Sequence, residues 1–221
     1  MAASGKPDMR TTAPRVTRGN KARMLRIIGG SWRGRTWRFP QGDIRPTPDR
    51  VRETLFNWLS TDIAGARCLD LFAGSGALGL EALSRGAAGA VFVERSADTA
   101  RQLRQTLALW GGERAAAAQV HVAEANGFLT GKPEIFDIVF LDPPFGSGEL
   151  PAVLAALARG WLSPGGRIYV EHARGEALPA LPAPWQELRS GSAGEVRYHL
   201  LGAAAGTTSG GGGDIQMKSG R

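Results

Sequence analysis

The chain has 221 residues, 43% of them hydrophobic, and a formal net charge of +7. That length suits one ordinary domain of roughly 100–200 residues with tails. The single cysteine, Cys68, excludes a disulfide framework within the chain and fits a reducing setting. No apolar run nears the roughly 18–20 residues of a membrane span, and no apolar secretory leader is visible, so a cytoplasmic protein without a membrane partner is expected.

The charge is unevenly placed. Residues 1–60 hold 13 Lys/Arg against 4 Asp/Glu, a net of +9, whereas residues 61–221 hold 14 against 16, a net of −2. A basic leading quarter on a near-neutral remainder suggests a polyanion-binding extension, nucleic acid foremost. Residues 1–23 are rich in Ala, Thr, Pro and Arg without apolar periodicity and read as a disordered basic arm. Residues 24–44 hold an expected β-hairpin: Ile27 and Ile28 precede Gly29-Gly30, and Trp37 and Phe39 close the second arm. Arg26, Arg33 and Arg35 interleave with Trp32 there, a pattern that grips phosphates and stacks on bases. Equally, the tryptophans could cover the hairpin's own apolar face. Thr47-Pro48-Asp49 reads as a helix start with Thr47 as cap, followed by an apolar face of Val51, Leu55, Trp58 and Leu59. Arg45, Arg50 and Arg52, placed off that face, are candidate phosphate contacts, or else solvated side chains and partners of Glu53.

From residue 67 strands and helices alternate. Strands are expected at 67–72, 90–94, 119–123, 137–141, 167–171, 185–190 and 195–201. Helices are expected at 77–86, 96–110 (capped by Ser96) and 148–162. The last two strands should pair antiparallel across Gly191–Gly194. The pattern predicts an α/β domain over 45–201 built on a doubly wound, mostly parallel seven-stranded sheet, with a flexible tail at 202–221.

Strand 67–72 runs into AGSGALG, whose Gly74, Gly76 and Gly79 match a dinucleotide fingerprint, with Glu94 placed to meet a ribose. A nicotinamide cofactor is therefore one reading. Asp70 speaks against it, because a pyrophosphate site wants bare amides and positive potential. An acidic residue before the loop suits a cofactor with a cationic amino-acid end. S-adenosylmethionine, with its ammonium, sulfonium, ribose and adenine, matches piece by piece. Phe72, Ala73, Ser75 and Arg95 would complete its wall, and Glu124-Ala125 would meet the adenine edge.

The strand FDIVFL ends in Asp142-Pro143-Pro144-Phe145. Ligands of such sheets bind outside the carboxyl ends of the strands. Two prolines keep the chain extended and expose carbonyl acceptors, and Asp142 adds a carboxylate that only accepts when ionised. A planar amino group on a base is the natural guest, with Phe145 stacked on the ring. The bland alternative is an ordinary turn after a strand. A base reached this way is flipped out or unpaired. His121, His172 and His199 are scattered and, with one cysteine, give no metal pattern.

DPPF resembles the [Asp/Asn/Ser]-Pro-Pro-[Tyr/Phe/Trp] motif of amino-group methyltransferases. The strings RIIGGSWRGR (26–35), RPTPDRVRETLFNWL (45–59) and LDLFAGSGALGLEALSRGA (69–87) resemble the ribosomal small-subunit RNA methyltransferase D family, and the likeness spans about residues 24–201. The resemblance implies a Rossmann-like class I S-adenosylmethionine-dependent methyltransferase fold with a small N-terminal hairpin. It implies methylation of N2 of a guanine in 16S rRNA, in a small subunit or an assembly intermediate, by a monomer without a metal. Asp142, Pro143, Pro144 and Phe145 would hold the amino group. The glycine loop, Asp70, Glu94, Glu124 and Ala125 would surround the cofactor, and the basic N-terminal segment would grip the rRNA. An adenine-N6 nucleic-acid methyltransferase uses the same Asp-Pro-Pro chemistry and is the alternative.

Overall fold

Continuous apolar runs on the strands require both sheet faces to be covered, and the architecture follows. A computed structural model describes residues 23–39 and 47–203. In chain order the elements are β1 (Arg23–Arg26), β2 (Thr36–Phe39), α1 (Asp49–Trp58), β3 (Arg67–Asp70), α2 (Ala77–Ser84), β4 (Gly89–Glu94), α3 (Ala97–Trp110), α4 (Gly112–Ala116) and β5 (Ala118–Val122). They continue with α5 (Ala125–Phe128), β6 (Phe136–Leu141), α6 (Leu150–Leu157), β7 (Leu162–Ala173), β8 (Trp185–Ala193) and β9 (Val196–Ala203). β1 and β2 form an antiparallel pair; the other seven strands form one sheet in the order β5-β4-β3-β6-β7-β9-β8. The first five strands of that order run parallel, and β9 lies antiparallel to both β7 and β8.

Side chains alternate between two cores, as strand geometry demands. Cys68, Phe92, Ile138 and Phe140 face α1, α2, α3 and the hairpin. Leu69, Val91, Val93, Val139 and Leu141 face α5 and α6. Among the described residues no helix is long and apolar enough to cross a membrane.

The hairpin is fastened to α2 by buried polar contacts. Both Glu81 carboxylate oxygens accept backbone N–H bonds, from Ile28 and Gly29 at 2.8 Å each. Ser84 accepts from the Trp32 amide at 2.9 Å. Trp37 Nε1 donates to the Ser75 carbonyl at 3.0 Å, tying the hairpin to the glycine loop.

Several boundaries differ from the sequence expectations. The one-turn helices α4 and α5 are too short to show periodicity. Strand β8 runs on to Ala193, so Gly191 lies within the hairpin rather than at its turn. It sits opposite Tyr198, whose ring leaves no room there for a Cβ. Helix α6 stops at Leu157, short of Gly160, whose φ of +107° is left-handed. The sequence expectations for the terminal arm and tail fall almost wholly outside the described residues.

Candidate functional site

Strands β3, β4 and β6 end side by side, and their last residues carry Asp70, Glu94 and, one step beyond Leu141, Asp142. Together with the loops that follow they bound a cavity of about 560 Å³. Six carboxylates line it (Asp70, Glu94, Glu124, Asp142, Glu149 and Glu171), with Arg95 as the one Lys or Arg among the described residues of the wall. A diphosphate does not fit such a wall; a cation does. The donor set therefore fits the ammonium and sulfonium of S-adenosylmethionine and disfavours a dinucleotide.

Asp70 is 2% exposed, and its Oδ2 accepts the Gly79 N–H at 3.0 Å. Burial, aided by the nearby Glu94 charge, pushes its pKa up to about 7. Glu94 accepts the Gly74 N–H at 2.9 Å and the Ser96 N–H at 2.7 Å, so its carboxylate is fixed by backbone on both sides. Phe72, Ala73, Gly74, Ser75, Arg95, Glu124 and Ala125 also line the cavity. Gly76 does not. It caps α2 with φ of +76°, and a Cβ there would lie 2.6 Å from Leu103 Cδ1. Gly79 likewise serves packing, since a Cβ would meet the Phe92 ring at 2.2 Å.

Opposite this wall stand Asp142, Pro143, Pro144 and Phe145. Pro143 is buried, while Phe145 is 45% exposed. The turn is closed by Ser147 N–H to the Pro144 carbonyl at 3.1 Å. Asp142's pKa is raised well above the usual range by burial and by the Glu171 and Asp70 charges. Behind it lies a group the sequence reading missed. Thr47 Oγ1 is 2.8 Å from Glu171 Oε1 and 3.3 Å from Asp142 Oδ2, and the Tyr169 hydroxyl donates to Glu171 Oε1 at 2.9 Å. Thr47 is thus no helix cap: α1 is preceded by Pro48 without a side-chain cap. The available signal was Glu171's place at the carboxyl end of the strand beside β6.

Two of the expected RNA contacts are corrected. Arg52 is fully buried, bonded to Asp49 Oδ1 at 2.6 Å, to the Arg26 carbonyl at 2.9 Å and facing Glu81 at 3.4 Å. The buried face of α1 is wider than its apolar residues, because α1 itself, the hairpin and α2 each supply Arg52 with a polar partner. Trp32 is 5% exposed and packs edge-on against Trp110, with centroids 5.1 Å apart, so it offers no face to a base. Arg33 and Arg50 are exposed. Arg26 is exposed and paired with Asp49 at 3.0 Å, and Arg35 lies over the Trp32 and Trp110 rings at 5.8 Å. Arg45 lies outside the described residues. His172 and His199, far apart in sequence, meet with Nε2 atoms 2.9 Å apart.

The family model described as Conserved hypothetical protein 95 matches residues 25–202. Ribosomal RNA small subunit methyltransferase D of Escherichia coli (strain K12) is 49% identical over 178 residues, 80% of this chain and 88% of that relative. The solved structure of the Escherichia coli protein yhhF superposes with a TM-score of 0.76 at 47% identity, covering 83% of this chain and 99% of that one. A T. thermophilus 16S rRNA N2 G1207 methyltransferase, solved with AdoMet and guanosine, shares 25% identity at a TM-score of 0.56, over 87% of this chain and 53% of that one. The sheet order and these likenesses identify the class I S-adenosylmethionine-dependent methyltransferase fold. The chain belongs to the ribosomal RNA small subunit methyltransferase D family.

Proposed function

We propose that this chain transfers a methyl group from S-adenosylmethionine to the exocyclic N2 of a guanine in 16S rRNA. The observation that carries the reading is the placement of the Asp142–Phe145 acceptor array and the Asp70–Glu94 wall around one acidic cavity. The relatives' names point to small-subunit rRNA, and the 25% identical neighbour was solved with both a guanosine and AdoMet.

S-adenosylmethionine, when bound, supplies an electrophilic methyl on a sulfonium sulfur. Asp70 would hold the ammonium end, Glu94 the ribose hydroxyls, and Glu124 with the Ala125 amide the adenine edge. Asp142 and the carbonyl at the Pro143-Pro144 step would accept the two amino hydrogens of the base. That fixes the nitrogen lone pair in one direction, and Phe145 would stack on the ring. Catalysis of this kind is positioning plus electrostatics; no protein nucleophile is needed. Cys68 is unsuited to that role in any case, since burial raises its thiol far above neutrality. The exposed arginines at the hairpin and at Arg50 would contact rRNA phosphates in a small subunit or its assembly intermediate.

The test is transfer from labelled S-adenosylmethionine to 16S rRNA and to small subunits from cells lacking the enzyme, read by nucleoside mass spectrometry. N2-methylguanosine is expected. N6-methyladenosine would leave the amino-group chemistry standing and overturn the guanine assignment.

A further inference from the structure

Methylating a neutral amino group leaves a balance to close. As the N–C bond forms and the sulfonium S–C bond breaks, the nitrogen becomes cationic and sheds one proton. Asp142 is the nearest carboxylate in the proposed pose, but it stands in a buried acidic cluster and lacks a direct basic partner among its contacts.

We infer that Thr47 and Glu171 form a proton path behind Asp142, taking the substrate's amino proton off the reacting centre. This rests on the reading above only for the identity of the amino substrate. The geometry supplies the direction. A threonine hydroxyl has one proton to give and lone pairs to accept with. Thr47 Oγ1 lies 2.8 Å from Glu171 Oε1 and 3.3 Å from Asp142 Oδ2, so its proton belongs to Glu171 in the resting state. The Asp142 contact becomes a hydrogen bond when Asp142 itself carries a proton. At that moment a continuous donor chain exists, Asp142 to Thr47 to Glu171. A shift of both protons along it returns Asp142 to its ionised form and leaves Glu171 neutral. The amino nitrogen has lost one proton, Glu171 has gained one, and Thr47 is unchanged. When product leaves, the proton returns by the same route to water in the cavity.

The surroundings suit a transient acceptor. Glu171 is 2% exposed and Thr47 5%, so water does not compete for the path. The ionisable groups facing Glu171 are Tyr169 on its own strand, Asp142 after β6, and Tyr198, its register partner on β9, while Asp70 at the end of β3 acts on Asp142. All are acids, and burial raises Glu171's pKa to about 7 while the Thr47 and Tyr169 hydroxyls hold it from going higher. Burial raises Asp142 as well, with the Glu171 charge among its causes, so the two carboxyls compete for one proton, and it can pass in either direction through Thr47. In these terms Thr47 and Glu171 are positioning and relay residues acting through Asp142.

The experiment uses the full chain with Thr47→Val, Thr47→Ser and Glu171→Gln. Single-turnover methyl transfer is measured from pH 5.5 to 9, alongside S-adenosylhomocysteine affinity by calorimetry. Thr47→Val and Glu171→Gln are expected to slow the transfer step by ~10-fold or more at neutral pH, with S-adenosylhomocysteine affinity within about twofold of the parent. Thr47→Ser should restore most of the rate, and Glu171→Gln should lose the limb in which the parent's rate rises through about pH 7. An unchanged pH profile in Glu171→Gln, or Thr47→Ser no better than Thr47→Val, overturns the path. A second readout needs no substrate: ¹³C side-chain carboxyl titration of the parent and of Glu171→Gln. Glu171 should titrate near 7 in the parent, and Asp142 should titrate well above the ordinary carboxylate range in the parent and lower in Glu171→Gln. Independent titration of the two carboxyls overturns the proposal. A parent enzyme that methylates no guanine overturns the substrate reading, while the titration still decides the path.

Discussion

Asp70 is expensive to keep. Its carboxyl goes from an ordinary 3.8 when unfolded to about 7 when folded, chiefly because burial penalises the charge. Between those values the folded state binds a proton that the unfolded state does not. The associated stability is present in full below about pH 3.8 and lost as pH rises through about 7. Asp70→Asn keeps an oxygen for the Gly79 N–H, so it should stabilise the ligand-free protein at pH 8 by on the order of 1–3 kcal/mol, with the gain shrinking toward pH 4. Calorimetric melting at both pH values measures this. The same variant should weaken S-adenosylmethionine binding by ~10-fold or more, because a neutral amide replaces a charge facing a cation. Stabilisation without loss of affinity would remove Asp70 from the cofactor site. Asp142→Ala should behave differently: a turnover loss of ~100-fold, comparable to deleting one preorganised polar contact, with S-adenosylhomocysteine affinity retained. An unaffected turnover in that variant would sink the amino-group pose.

Between elements, stability concentrates at one carboxylate. Glu81, fully buried on α2, holds the Ile28 and Gly29 amides, Arg85 at 2.8 Å and Arg52 at 3.4 Å. Glu81→Ala strands two partly buried amides and removes a partner of buried Arg52 at once, and should cost ~3–5 kcal/mol in urea unfolding. A loss below ~1 kcal/mol would mean that the hairpin docks through its tryptophans alone. Nothing in ALGLEALSRG announces this role, because its partners lie more than fifty residues earlier. The same limit explains what else escaped the sequence. Thr47 looks like a cap because Thr-Pro-Asp is a good local helix start, and only the fold brings it to Glu171, 124 residues away. Arg52 looks solvent-facing because two of its partners, the Arg26 carbonyl of the hairpin and Glu81 of α2, come from distant parts of the chain. His172 and His199 look scattered because β7 and β9 pair antiparallel. In contrast, the strands, α2, α3 and the carboxyl-end cluster of Asp70, Glu94 and Asp142 were legible. Apolar runs, the Ser96 cap (which accepts the Thr99 N–H at 3.3 Å) and strand-end carboxylates are local signals whose meaning the sheet rule then assembles.

At the scale of the whole molecule, charge separates along the chain and chemistry separates with it. The leading 60 residues carry +9 and the remainder −2, while the cavity wall is acidic. Under the proposed reading, such an arrangement would let a polyanion bind through the leading segment without being drawn into the cavity, and only a neutral base would enter past Phe145. The consequence is measurable in salt. If the exposed guanidinium groups of the hairpin and of Arg50 on α1 meet phosphates, each lost contact should lower the slope of log affinity against log salt by ~0.7 to 0.9, depending on whether the RNA is single- or double-stranded. Arg33→Ala combined with Arg50→Ala is the informative variant, because both side chains are exposed and neither appears in an ion pair within 4 Å among the described residues. Arg101→Ala on α3 is the control, paired with Asp98 at 2.6 Å in the near-neutral part of the chain. Filter binding of 16S rRNA across salt concentrations should show a slope reduced by about 1.4–1.8 for the double variant and unchanged for the control. Equal slopes in all three proteins would place the RNA on another face, and the exposed arginines of the hairpin side would then be solvating charges.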